Sequence, residues 1–256
     1  MRLKSTSYLI ILGLILAFSS WSENAQAQKS RQDSIIIPHL DLVYSYRLPS
    51  GNLADRFGFF HTIGAAFYVK DRKGFIYGAD YDFQFGDQVK ENTLTNILTT
   101  TGHLINSDGE FATLKANFRG FTVSGKFGKL FPLLSPNPHS GIKVLLGVGF
   151  WQHRIRVEDT QRNTPQISGE YLKGYDRMSN GLLLSQFVGY QYFSNSRLLN
   201  FYFGVEVAEG FTQNRRDYDF NTKEKNTDSR FDASVGFKVG WVIPFYKKRV
   251  QKRYYN

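Results

Sequence analysis

Residues 231–245 read FDASVGFKVGWVIPF, with an apolar side chain at every odd position: Phe231, Ala233, Val235, Phe237, Val239, Trp241, Ile243 and Phe245. The even positions, Asp232, Ser234, Gly236, Lys238, Gly240, Val242 and Pro244, are mostly polar or small. A period of two is a strand period, and fifteen residues exceed an ordinary globular strand. A bilayer explains the length. A tilted transmembrane strand needs about 9–11 residues, apolar toward lipid and polar or small toward a lumen. The charged stretch before it, residues 215–230, has the composition of an exposed loop. This pattern predicts the closing strand of an outer-membrane β-barrel.

The N-terminal end agrees. A short basic start (Met1 to Lys4), an apolar run (residues 8–18) and a small-residue site, Ala25-Gln26-Ala27, form a secretory signal peptide with cleavage expected after Ala27. The apolar run is too short for a membrane helix. The chain holds no cysteine, which excludes disulfides and a lipidated N-terminal cysteine. The predicted division is 1–27 signal peptide, 28–245 barrel and 246–256 basic periplasmic tail.

The same alternation gives the other strands. Outward rows are Leu40-Leu42-Tyr44-Tyr46, His61-Ile63-Ala65-Phe67-Val69, Tyr77-Ala79-Tyr81-Phe83-Phe85 led by Phe75, and Phe121-Val123-Gly125-Phe127. They continue with Ile142-Val144-Leu146-Val148-Phe150, Leu184-Gln186-Val188-Tyr190-Tyr192 and Leu199-Phe201-Phe203-Val205-Val207. With the last strand the total is eight, an even number as single-chain bacterial barrels require. The predicted fold is all-β, an eight-stranded antiparallel transmembrane up-and-down barrel. Short connections at 71–74, 132–140 and 194–197 are assigned to the periplasm, and long ones at 49–58, 87–116, 158–181 and 214–230 to the extracellular side.

A barrel of this size is filled by its own side chains. The inward rows carry Asp41, Asp80, Asp82 and Glu206 against Arg47, Lys126, Lys143 and Lys238. A neutralising ion network is one reading, since unpaired buried charge is expensive. A proton path, or a catalytic carboxylate pair at Asp80 and Asp82, is the other. The histidines are His39, His61, His103, His139 and His153, and none stands in a metal-ligand spacing. His103 and His153 fall near the extracellular side, where Ser185, Asp108 or Asp176 would have to join them for rim catalysis. Such an enzyme requires His103 or His153 within hydrogen-bond reach of a serine or carboxylate. No cofactor is expected.

The tail YKKRVQKRYYN holds Lys247, Lys248, Arg249, Lys252 and Arg253 with Tyr246, Tyr254 and Tyr255. The formal charge is +10, and the signal peptide removes +1 (Arg2 and Lys4 against Glu23), so five of nine remaining net charges lie there. Such a tail either rests on anionic headgroups or docks a periplasmic partner through its tyrosines and charges. Nucleic acid is not an expected partner of an exported chain. Tyr171, Tyr175, Tyr218 and Phe220, set among Arg and Asp in the long loops, suit binding.

LADRFGFFHTIG, GKLFPLLSPNPHSGI, KGYDRMSNGL, GFTQNRRDYDF and VGWVIPFYKKRVQKRYYN resemble a Bacteroidota outer-membrane barrel family of unknown function, similar to small OmpA/OmpX-type barrels. The resemblance implies structured loops, a basic tail and no catalytic residues. Together these readings predict a non-enzymatic barrel embedded in outer-membrane lipid. It acts by interaction, in an envelope assembly for secretion or barrel biogenesis, through its loops and tail. The alternative is a lipid-modifying or proteolytic barrel enzyme.

Overall fold

The structure, a computed structural model, describes residues 35–245 except 101, 136–138, 161–162, 168, 195–198 and 226–227. The expected signal peptide and the expected basic tail, with parts of the turns at 132–140 and 194–197, lie outside the described residues.

Eight strands run antiparallel in chain order and close into a ring: β1 (Ile37–Gly51), β2 (Phe60–Lys70), β3 (Phe75–Gly86), β4 (Leu114–Phe131), β5 (Gly141–Asp159), β6 (Ser179–Tyr192), β7 (Phe201–Asn214) and β8 (Ser229–Pro244). Closure runs from His39↔Pro244 to Gly51↔Asp232, so each strand is paired on both sides within the barrel wall, as backbone in lipid requires. Ring closure puts the described chain ends at one rim, where the Phe245 amide donates to the Pro38 carbonyl at 2.8 Å.

Side-chain alternation decides which surface faces out. Along β5, Leu146 and Val148 are 60% and 56% exposed, while Lys143 and Trp151 are fully buried. On β4 the outward row runs Arg119, Phe121, Val123, Gly125, Phe127, Lys129, with a cation at each end of an apolar span. Ten residues at about 3.3 Å each, tilted about 40°, rise roughly 25 Å, the height of a barrel's lipid-facing band. The Lys129 ammonium folds back over the Phe75 and Phe131 rings at 5.0 and 5.5 Å, as a basic side chain does at the edge of hydrocarbon.

Glycine appears inside where a large side chain needs the space. A Cβ on Gly240 would lie 2.3 Å from the Tyr202 ring. At the β2–β3 turn the Asp71 carboxylate accepts from the Lys73 and Phe75 amides at 2.8 and 2.7 Å, and Gly74 takes φ +84°.

Several boundaries differ from the sequence reading. β4 starts at Leu114 and β5 runs to Asp159, so part of two expected loops is a ribbon rising past the apolar span. Polar outward residues there conceal the alternation, because lipid no longer selects them. The first loop contains a short helix, α1 (Asn52–Arg56), and β7 begins at Phe201, leaving Leu199 before the strand.

Candidate functional site

Six of the eight charged lumen residues converge at mid-barrel. Lys126 Nζ lies 2.7 Å from Asp80 and 2.6 Å from Glu206. Lys238 Nζ lies 3.0 Å from Asp82, 3.1 Å from Glu206 and 3.5 Å from Asp80. Arg47 pairs with the other Glu206 oxygen, and Ser124 donates to Asp80 at 2.5 Å. Three carboxylates thus meet three cations in a neutral knot. Asp80 and Asp82 share Lys238, which engages the proposed carboxylate dyad with a cation instead of leaving it open to substrate. A void beside the knot, lined by Arg47, Asp82 and Ser185 among others, measures about 10 Å³, the room of one water.

Asp41 and Lys143 stand apart, toward the periplasmic end, so the single network expected for all eight residues is in fact two clusters. Lys143 Nζ is 3.7 Å from Asp41 and sits over the Tyr202 ring at 4.0 Å; His39 Nε2 is 3.8 Å from Asp41. The separation follows from register, since Asp41 pairs with Ala66 and Val242 near the start of β1. Buried apolar clusters flank the knot on both sides. Ile37, Ile76, Leu130, Leu145 and Phe187 lie below it, and Phe57, Phe60, Phe118, Trp151 and Ile155 above it.

The histidines scatter. His153 Nε2 is 2.9 Å from Asp232, which also accepts from Thr212, so the distance a catalytic contact needs is met. Both side chains are nevertheless 0% exposed, with the Phe57, Phe118 and Trp151 rings within 6.0 Å of His153, and no substrate atom reaches them in this conformation. The His103 ring packs on Phe111 at 4.6 Å, His61 meets the Tyr44 hydroxyl at 2.8 Å on the outer wall, and His139 lies 3.3 Å from Lys70. Ser185 faces the lumen void, the Asn163 amide donates to Asp108, and Arg216 holds Asp176, so the rim constellation is not assembled. No metal-holding group of His, Asp or Glu occurs among the described residues.

The extracellular loops fold over the mouth as a cap with its own apolar interior. Leu53 from α1, Leu94, Leu104, Ile167 and Tyr175 join the upper lumen layer, and Phe220 packs against them. Of the four loop aromatics expected to bind partners, Tyr175 and Phe220 therefore serve the cap, while Tyr171 and Tyr218 are 62% and 46% exposed. An ionic chain ties the loops together. Glu91 takes Arg56 at 2.8 Å and Arg177; Arg177 reaches Asp219 at 3.1 Å; the Arg177 carbonyl accepts from Arg56 at 3.2 Å. Burial raises the Glu91 carboxyl, but the charge and hydrogen bond of Arg56, with Arg177, outweigh it and hold the group below its ordinary value. Sequence reading missed this chain, because loop residues carry no period to reveal which of them meet.

Neither protein-family profiles nor curated proteins match this chain. Among solved structures it is similar to Neisserial surface protein A, with 13% identity, 81% of this chain and 97% of that one covered, and TM-score 0.42. It is also similar to the attachment invasion locus protein Ail of Yersinia pestis in complex with sucrose octasulfate (7%, 81% and 99%, 0.40). A third is the N-terminal β-barrel domain of Pseudomonas aeruginosa OprF (8%, 80% and 99%, 0.32). At such scores these likenesses add nothing to the strand count and ring closure read directly from the pairing.

Proposed function

We propose that this protein is an integral outer-membrane barrel that acts by interaction, as a subunit of a larger envelope assembly for secretion or barrel biogenesis. The observation that carries the reading is the filled interior: among the described residues a charge-neutral knot lies between two apolar layers, the void beside it measures about 10 Å³ and the His153–Asp232 pair is fully buried, which directs the reading to the surfaces. The cap supports the same reading. Its loops are tied by the Arg56–Glu91–Arg177–Asp219 chain, and Phe111, Tyr171 and Tyr218 are exposed on it, as a pre-organised binding surface would have them. Membership in a Bacteroidota family, cleavage after Ala27 and docking by Lys247, Lys248, Arg249, Lys252, Arg253, Tyr254 and Tyr255 belong to this proposal.

Affinity purification from native outer membranes tests it, using the full chain and a truncation after Phe245. The full chain is expected to recover the same envelope partner in several mild detergents, and the truncation to insert normally yet lose a periplasmic one. Recovery of the barrel alone in every detergent would overturn the assembly reading. Steps above background in planar-bilayer recordings would overturn the filled interior.

A further inference from the structure

The rising β4–β5 ribbon carries cations on its outer face where the apolar span ends. Arg119 on β4 pairs directly with Arg154 on β5, and the next outward pair is Asn117 with Arg156. Like charges directly opposite on one sheet face repel each other. The available anions offset little of this. Arg156 meets Glu158 at 2.6 Å, but Arg154 reaches Asp176 only at 3.9 Å, and Asp176 already binds Arg216. Arg119 spends one donor on the neighbouring Phe118 carbonyl at 3.1 Å. Arg215 adds a further cation on the same side, bonded to Asn180 at 2.7 Å, and Asn180 pairs with Gln152 two residues below Arg154. Arg154 and Arg156 are about half exposed, with 47% and 54% of their side chains open.

Directly below on the same wall, Phe121 lies beside Phe83, and Val123 beside Phe150, followed by Val148 and Leu146. The surface therefore offers forked cationic donors at headgroup height and an apolar track at acyl-chain height. We infer that Arg119, Arg154 and Arg156 form an outer-wall site for the phosphate of a phosphorylated outer-leaflet lipid, whose acyl chains lie along Phe121, Val123, Phe150 and Val148. Charge complementarity selects an anion, since guanidinium forks match phosphate oxygens bidentately. The continuous apolar track selects a lipid over a free anion. The inference rests on the membrane-embedded reading above and names one ligand class for it.

Native mass spectrometry of the full chain in mild detergent tests the site. The probes are phosphorylated lipid A, the same lipid after enzymatic dephosphorylation, and inorganic phosphate. The wild type is expected to retain phosphorylated lipid A about tenfold better than the dephosphorylated form, and the Arg119→Gln/Arg154→Gln/Arg156→Gln variant to lose that preference. Arg72→Gln/Lys73→Gln, on the opposite rim, is expected to keep it. Arg154→Gln alone, at an exposed position, provides the readout should the triple variant fold poorly. Three results would each overturn the site: no phosphate preference in the wild type, equal retention by the arginine variants, or equal loss in the opposite-rim control. Competition by inorganic phosphate at the lipid's own concentration would replace the lipid with a free anion and also overturn it. Heat-modifiable migration and outer-membrane fractionation report separately on the barrel. Their failure would sink the membrane reading, whereas an inserted barrel without lipid preference would sink only this inference.

Discussion

In the lumen, Glu206 accepts from Arg47, Lys126 and Lys238 with every partner only 3–4% exposed; in the cap, Glu91 accepts from Arg56 and Arg177 while itself 20% exposed. The chemistry is the same, a carboxylate shared among cations, but the surroundings differ. Strands fixed by register deliver the lumen groups to a place water barely reaches, so each charge depends on its partners being present. The cap groups come from three loops, and Glu91 and Arg177 keep part of their solvent contact at 20% and 15% while Arg56 is 6% exposed, so solvent screens the pairing at Glu91 and Arg177 more than it does in the lumen. Removing one partner is therefore expected to be severe in the first place and mild in the second.

The largest effect is expected for Glu206→Gln, which leaves Arg47, Lys126 and Lys238 facing Asp80 and Asp82 with an excess of buried positive charge. Breaking a buried ion cluster costs about 3–5 kcal/mol, to be read from reversible urea unfolding in lipid vesicles. A loss below about 1 kcal/mol, the value of an exposed pair, would place water in the knot and remove the contrast with the cap.

Next comes a cation moved by one residue. Lys238 faces three carboxylates, whereas Val239 is outward and 37% exposed on the lipid side. Val239→Arg is expected to destabilise the barrel by about 2–4 kcal/mol if it sits near the bilayer midplane. Normal insertion and an unchanged urea midpoint would contradict the register of β8.

That one-residue difference also explains how much the sequence discloses. Lipid outside and a packed lumen inside impose opposite demands on neighbours such as Lys238 and Val239, so alternation assigns both the strand and the side that each residue faces. Convergence is harder to read. Asp41 shares the inward face with Asp80, yet tilt and stagger decide that it meets Lys143 at the periplasmic end, and composition does not encode that. In the loops neither constraint acts. Nothing in the spacing of Arg56, Glu91, Arg177 and Asp219, spread over more than 160 residues, reveals that they touch. Above the apolar span even a strand loses its signature, as Asn117, Arg154 and Arg156 show.

A smaller effect is expected at Arg177, which combines two cap roles. Its guanidinium joins Glu91 to Asp219, and its backbone takes φ +44°. Arg177→Gly removes the first and relaxes the second, while Arg177→Ala removes the guanidinium and keeps the strained backbone. The alanine variant is expected to be less stable than the glycine variant by about 1 kcal/mol. Equal stabilities in thermal melts would show that the left-handed backbone costs nothing here.

The smallest and most local effect concerns acid. Because Arg56 and Arg177 hold Glu91 below its ordinary value of 4.5, the stabilisation tied to its ionised form is complete above that value and is lost as pH falls through the lower folded one. The cap should therefore behave alike at neutral and mildly acidic pH and loosen only in stronger acid. Hydrogen exchange, corrected for intrinsic rates, should show faster opening of residues 87–99 and 169–178 in that range, with the amides of β7 as an internal reference. Glu91→Gln removes the charge that titrates, so its cap should already be loose at neutral pH and lose most of the acid response. Were the variant to keep the wild-type acid response, Glu91 would not be the group on which acid acts, and the contrast between cap and lumen could not rest on its pairing with Arg56 and Arg177.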